Sequence, residues 1–269
     1  MAPSKWDAEQ QKQREMLREH WLRYFCEVET ERQQLLQWLR EEGLVRPSGF
    51  EARIQHAARL KQLGNEWYGR DDYRRALHCN LGAIHTIDFS PQEQLSLDEQ
   101  QRLALVKVLL PLLSNLTQVF LKRGDFSNAI KAATLGLRHV GKLDKAEDID
   151  TFKAKLRFRR ALARGEPGPE RDLEGALDDL REAAHCKPQD LDIRQCLENC
   201  KQLLRKSRSN GHDQDDGQDE PSEEQGNVEA ATLSARQEQF ARCFGRCLGK
   251  LQRFWRRTTA PSGPSNKKC

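Results

Sequence analysis

The sequence has little of what marks membrane, secreted and nucleic-acid-binding proteins. No stretch approaches the roughly 18–20 uninterrupted apolar residues that span a bilayer, and the first residues lack the apolar run of a secretory signal. Lys and Arg number 45 against 41 Asp and Glu, and the resulting charge of +4 is too small to indicate nucleic-acid binding. These absences predict a cytoplasmic protein, with a peripheral-membrane or nuclear location as the alternatives.

Catalytic and metal-binding motifs are also missing. The sequence contains no glycine-rich phosphate loop, no His-Glu-x-x-His and no Gly-x-Ser-x-Gly. The cysteine pairs Cys196/Cys200 and Cys243/Cys247 lack the Cys-x-x-Cys spacing of a zinc knuckle, and no histidine sits at ligand spacing beside them. We therefore expect no enzymatic activity, no metal and no cofactor. Five cysteines are expected to be small apolar fillers in a reducing compartment, namely Cys26, Cys79, Cys186, Cys196 and Cys200.

What the sequence does contain is a helix-turn-helix pattern between Lys61 and Asp88. Small residues recur where two helix backbones must approach, and larger apolar residues recur between them. Gly69-Arg70-Asp71-Asp72 supplies the turn, and an Asp at this place can cap the second helix. The spaced residues are Gly64, Tyr68, Tyr73, Ala76, Leu77, Ala83 and Ile84. This segment resembles a tetratricopeptide repeat (TPR), a unit of about 34 residues with two antiparallel helices.

Two further segments match this unit. The first has Gly124-Asp125-Phe126 at its turn, and the second has Ala161 at the small-residue position and a turn, residues 165–171, about three residues longer than the norm. The resemblance implies an all-α TPR superhelix of three helix pairs with an N-terminal helical extension and a C-terminal capping helix. The expected boundaries are 1–49 for the extension, 50–208 for the TPR domain (repeats about 57–90, 110–143 and 154–188, capping helix 189–208), 209–231 for an acidic disordered linker, and 232–269 for a basic tail.

The segments around the repeats give more local predictions. Residues 4–43 read as helix throughout. This segment forms either a helix or hairpin that caps the first repeat, which we favour, or a coiled-coil dimer arm. Ser48 is a candidate cap for the next helix. A long helix should run from Asp98 to Lys122 with a kink or short break near Pro111, and the first helix of repeat three should begin near Asp150.

The tail, residues 232–257, has the pattern of a basic amphipathic helix. Its basic residues indicate binding to an anionic membrane surface or to a calmodulin-like partner, and docking on the solenoid is the alternative. Cys243, Cys247 and Cys269 could carry acyl chains at a membrane. The apolar face comprises Phe240, Phe244, Leu251 and Trp255.

Five polar residues fall where the first helix of each repeat should face the concave groove. They lie in Lys61-x-x-Gly64-Asn65, Ser114-Asn115-Leu116 and Lys155-x-x-x-Arg159. This set resembles the dicarboxylate clamp of TPR co-chaperones of the immunophilin or phosphatase type, here without a catalytic domain. The alternative is that Asn65 is a residue common to such repeats in general, and that Lys61 and Arg159 are solvated surface charges without a binding role. The clamp residues would be Lys61, Asn65, Asn115, Lys155 and Arg159.

The resemblance implies a partner as well as a site. It predicts a non-enzymatic adaptor that binds the C-terminal Glu-Glu-Val-Asp tail of heat-shock proteins 90 and 70 through carboxylate contacts. A second hypothesis is a TPR scaffold for another partner, tethered by its tail. The sequence departs from the family pattern at two positions, where Asn80 and Ala133 replace bulky aromatic residues. These departures affect the packing between helices.

Overall fold

The computed structural model describes residues 24–26, 28–143 and 145–210, and these form nine helices without a strand. The helix α1 precedes three helix pairs, α2/α3, α5/α6 and α7/α8, and a short helix, α4, lies between the first two pairs. The last helix, α9, follows the third pair. In order, α1 to α9 are Glu29–Glu41, Phe50–Gly69, Tyr73–Thr86, Pro91–Ser96, Glu99–Arg123, Phe126–Val140, Ala146–Gly165, Leu173–Cys186 and Leu191–Asn210.

The pairs stack so that first helices lie beside first helices. The helix α5 packs against both α2 and α7, and each second helix packs against its own first helix and against the next one along the chain. This nearest-neighbour pattern buries one continuous apolar core, since a single pair cannot cover its own apolar face.

Each second helix begins at an aspartate, as the sequence predicts for the first pair. The carboxylates of Asp72, Asp125 and Asp172 accept hydrogen bonds from backbone N–H groups three residues on, at 2.9, 3.1 and 2.8 Å. The predicted cap at Ser48 is wrong. The residue before α2 is Gly49, whose φ of 84° favours glycine, and no side chain caps this helix.

Small residues permit the close helix packing. A Cβ placed on Gly64 would lie 2.7 Å from Asn80 Nδ2, so α2 and α3 touch at this point. Asn80, which stands where the family has a bulky aromatic residue, is buried and donates from Nδ2 to the Ala76 carbonyl at 2.7 Å. Asparagine is smaller than the aromatic residue of the family, so it fits the narrow space between α2 and α3 beside Gly64.

The long helix α5 is the centre of the described chain. An Asp98–Gln101 capping box begins it, and Gly124 in the left-handed region ends it. The helix is continuous through Pro111, so no break occurs there. By length and composition α5 is the one candidate membrane span among the described residues, and 61% of its most apolar window is buried. Because α2, α3, α6 and α7 all pack on it, the burial is that of a core helix.

The chain before the first pair packs against the solenoid. Leu39 of α1 contacts Gly82 of α3, and the rings of Trp38 and His78 lie 5.2 Å apart. Farther back, Phe25 contacts Phe120 of α5, with ring centroids 5.8 Å apart. The prediction of helix throughout residues 4–43 is wrong in its described part, because Cys26 and Val28 are not helical. Leu35 and Leu39 of α1 are buried within the chain, which favours a cap over a dimer arm.

The third pair and α9 differ in detail from expectation. The helix α7 begins at Ala146, earlier than the predicted Asp150, because the charged residues before Asp150 extend the helix by a turn. The long turn between Gly165 and Asp172 is present. The capping helix α9 buries Ile193, Cys196 and Cys200. The acidic segment and the basic tail lie outside the described residues.

Candidate functional site

Three of the five predicted clamp residues form one connected polar surface. Asn65 on α2 and Asn115 on α5 are joined by a hydrogen bond of 2.8 Å from Asn115 Nδ2 to Asn65 Oδ1. Ser114, the neighbour of Asn115, accepts a bond of 2.6 Å at its Oγ from Arg159 Nη1 on α7, and its carbonyl accepts a second one. The packing of α5 between α2 and α7 therefore brings residues that are far apart in sequence to a single place.

Arg159 is a buried cation without a carboxylate beside it. Its exposed fraction is 4%, and none of the described carboxylates forms an ion pair with it. Burial lowers the pKa of Arg159 to about 10, and only the nearby Tyr68 opposes this effect. Arg159 donates both hydrogen bonds to Ser114 from Nη1, so the Nε and Nη2 donors of its guanidinium take no part in them. The side chain is therefore held in place while part of its hydrogen-bonding capacity remains.

Three other arginines of α7 show the contrasting arrangement. Arg157, Arg160 and Arg164 lie at distances of 3.1, 2.6 and 3.0 Å from the carboxylate oxygens of Asp179 on α8. Asp179 is 1% exposed, and it neutralises this face of the helix. Spacings of three and four residues turn these arginines towards α8, whereas Lys155 and Arg159, four residues apart, lie on the face towards α5. The helix thus has one face with a counter-charge and one face without it.

Lys155 and Lys61 complete the predicted set without direct contacts. No hydrogen bond or ion pair joins either lysine to another residue in the part of the chain that the structure describes. The Lys155 side chain retains exposed surface. Partial desolvation, followed by the positive charges of Arg159 and Lys187, lowers the pKa of its ammonium group. Lys61 is half-buried and lies one helical turn before Asn65.

The structure adds residues that sequence reasoning did not select. Ser114 orients Arg159, although the sequence shows it only as the small residue that matches Gly64. Lys187, after α8, adds positive charge near Lys155. Gln118 and Lys122 lie on the same face of α5 as Asn115. Their spacings of three and seven residues from Asn115 were visible in the sequence, but no spacing reveals that Gln118 is buried.

Burial holds several histidine and cysteine side chains of the described chain in their neutral forms. Burial lowers the pKa of His78 and of His85 to about 4, so both imidazoles are neutral near pH 7. Across residues 24–26, 28–143 and 145–210, no cluster of His, Cys, Asp or Glu side chains could hold a metal. Burial raises the pKa of the Cys26, Cys79 and Cys200 thiols, which disfavours the reactive thiolate. The tail residues Phe240, Phe244, Leu251 and Trp255 lie outside the described residues, so their role stays a prediction.

Comparison with known proteins agrees with this architecture. No protein-family model matches the chain. Among solved structures, the chain is similar to the C-terminal TPR-containing domain of a Plasmodium falciparum protein named as an FK506-binding protein, with 24% sequence identity and a TM-score of 0.50. The match covers 60% of this chain and 97% of that domain. Taken with the three stacked helix pairs, this likeness shows that the chain folds as an all-α TPR superhelix.

Proposed function

We propose that this protein is a non-enzymatic adaptor whose groove binds the acidic C-terminus of a partner protein. The observation that carries the proposal is the pair Lys155 and Arg159, two neighbouring cations without a carboxylate partner in the described chain. A buried guanidinium is costly when it is unpaired, and an incoming carboxylate would supply the missing counter-charge. The ligand should therefore be an anion that reaches into the groove.

The asparagine pair favours a carboxylate of defined orientation. Because Asn115 donates one N–H to the Asn65 oxygen, the Nδ2 group of Asn65 and the second N–H of Asn115 are not used in this bond. A chain terminus that ends in Asp carries two carboxylates close together. One can accept bonds from the amides, and the other can meet the charges of Lys155 and Arg159.

The resemblance of these five residues to the dicarboxylate clamp supports a specific partner. We infer that the ligand is the Glu-Glu-Val-Asp tail of heat-shock protein 90 or heat-shock protein 70, which ends in the two carboxylates that this site can accommodate. In this role the protein connects a chaperone to a further partner, and it acts by binding without catalysing a reaction.

Calorimetry on the full chain tests the proposal. A peptide that ends in Glu-Glu-Val-Asp with a free terminal carboxylate should bind in the micromolar range, about −8 kcal/mol. The same peptide with an amidated C-terminus lacks one carboxylate and should bind at least tenfold more weakly. Equal affinity for the two peptides, or binding of neither, would contradict the carboxylate clamp and would favour a different ligand for the groove.

A further inference from the structure

The end of the solenoid carries an open pocket between α8 and α9. Each earlier second helix packs against the next first helix, and α9 takes that place after α8. No described helix follows α9, so no second helix of the described chain packs on its other side. The pocket has a volume of about 490 Å³, within the range of ligand sites, and none of the five clamp residues borders it. Its lining consists of Glu174, Leu177, Arg181, Lys201, Leu204 and Arg205.

The lining of this pocket has a surplus of positive charge. Three of its six side chains are cations, one is the carboxylate of Glu174, and the other two are leucines. Arg205 is exposed and forms no ion pair with the described residues. The pocket therefore favours an anionic segment over a basic one.

The other two cations have exposed partners within their own helices. Arg181 pairs with Asp178 at 3.1 Å, and Lys201 pairs with Glu198 at 3.5 Å, three residues away in each case. Exposed pairs of this kind contribute little to stability, so a second carboxylate can share or replace either partner. All three cations of the pocket are thus open to an additional anion.

The chain itself supplies an anionic segment directly after α9. Residues 213–224 contain seven Asp and Glu and no Lys or Arg, whereas residues 201–208 of α9 contain four Lys and Arg and no acid. Gly211 follows Asn210, the last residue of α9, and glycine commonly lets a chain reverse after a helix. Because the two segments belong to one chain, their effective concentration is on the order of millimolar, and weak ion pairs suffice for contact.

The spacing of charges along the two segments also matches. Arg205 and Lys201 lie five and nine residues before Asn210, which is about 8 and 14 Å along the helix axis. A chain that reverses at residues 211–212 covers these distances in about two and four extended residues, at roughly 3.3 Å each. The carboxylates that come level with the two cations are those of Asp215 and Asp216.

We propose that the acidic segment, residues 213–220, folds back along α9 and docks in the pocket between α8 and α9. Its carboxylates provide the counter-charge for Arg181, Lys201 and Arg205, and it covers the side of α9 on which the second helix of a further pair would pack. A segment docked there does not compete with a partner protein for the groove cations Lys155 and Arg159.

Zero-length coupling with a carbodiimide on the full chain tests this docking. The reagent joins a carboxylate to a lysine ammonium group where the two are in contact, and mass spectrometry identifies the joined residues. Lys201 should couple to residues 213–220 at least fivefold more than the exposed Lys142 does. Coupling of Lys201 to Glu198 should occur in every form and shows that this lysine reacts. At about 0.5 M salt the screening length is a few ångströms, and the product with residues 213–220 should disappear.

Two paired variants separate the pocket from the general charge of the chain. Arg181→Gln/Arg205→Gln removes two positive charges from the pocket and should lower the coupling of Lys201 to residues 213–220 about fivefold. Arg138→Gln/Arg194→Gln is the matched control, because it removes the same charge from two exposed arginines outside the pocket. This control should couple as the parent does.

Several outcomes would overturn the docking. Equal coupling of the acidic segment to Lys201 and Lys142 would show that it samples the surface without a site, and an unchanged yield in Arg181→Gln/Arg205→Gln would show that the pocket does not attract it. Coupling mainly to Lys155 would place the segment in the groove, and coupling mainly to Lys250 would place it on the basic tail. Either result excludes the pocket as its docking site.

Discussion

Replacing Arg159 with methionine separates binding from folding at the centre of the proposed site. Burial lowers the pKa of this guanidinium from its ordinary 12.5 to about 10. That difference of about 2.5, at 1.36 kcal/mol per pKa unit, corresponds to a free-energy cost of about 3 kcal/mol for keeping the guanidinium charged at this buried position. A ligand carboxylate would relieve this cost on binding. Arg159→Met should therefore weaken the acidic peptide by about 2–3 kcal/mol, or roughly 100-fold.

The same variant should change stability little. Methionine fills a similar space without a charge. The relieved desolvation of about 3 kcal/mol therefore offsets the two lost bonds to Ser114, taken at about 1.5 kcal/mol each, the low end for a charged donor. We expect the free energy of unfolding in urea to stay within about 1 kcal/mol of the parent, while calorimetry shows the loss of affinity.

Arg160 is the matched control, because it is the next residue on the same helix and its partner is Asp179. Arg160→Met should lower the stability by about 1–3 kcal/mol and leave the affinity of the folded protein unchanged. Unchanged peptide affinity in Arg159→Met would refute the reasoning. So would a large loss of stability in that variant, since it would give Arg159 a structural role like that of Arg160.

Three further predictions concern the core, the pH dependence and the tail. Asp179→Asn removes the carboxylate on which three arginines converge and should lower the free energy of urea unfolding by about 3 kcal/mol. The free energy of unfolding should fall as the pH is lowered from about 6.5 to about 4, by about 1–3 kcal/mol for each of three partly buried imidazoles, because over this range the unfolded chain binds protons that the folded chain does not. These imidazoles belong to His78, His85 and His139. The full chain should sediment with anionic liposomes at low salt, whereas a form that ends at Arg208 should not, if the basic residues 232–257 bind such surfaces.

Each of these predictions has a contradicting outcome. A loss below 1 kcal/mol in Asp179→Asn would mean that solvent already screens the arginines. Stability that is level between pH 6.5 and 4 would show that the imidazoles protonate in the folded protein. Equal sedimentation of both forms, or of neither, would exclude the membrane role of the tail and would leave docking on the solenoid or on a calmodulin-like partner.

Local features of the fold were predictable because they depend on neighbouring residues. The cap at Asp72, the long helix that starts after Asp98 and the extended turn after Gly165 all follow from signals within a few positions. The errors have the same local origin. Proline at 111 predicts a kink or a short break, and the break is absent because packing on four helices keeps α5 continuous. Ser48 has the right side chain for a cap, yet the chain enters α2 through the positive φ of Gly49.

The sequence alone determined the repeat and its helix pairs, because helical spacing decides which side chains share a face, and its resemblance to the clamp family supplied the five candidate clamp residues. It could not determine how one helix sits beside the next, since that depends on the packing of three separate segments. Only the tertiary structure shows that Asn115 bonds to Asn65, that Asp179 neutralises one face of α7, and that Arg159 is buried without a carboxylate partner among the described residues. These are properties of burial and counter-charge, and they arise when segments far apart in the chain exclude water from one another.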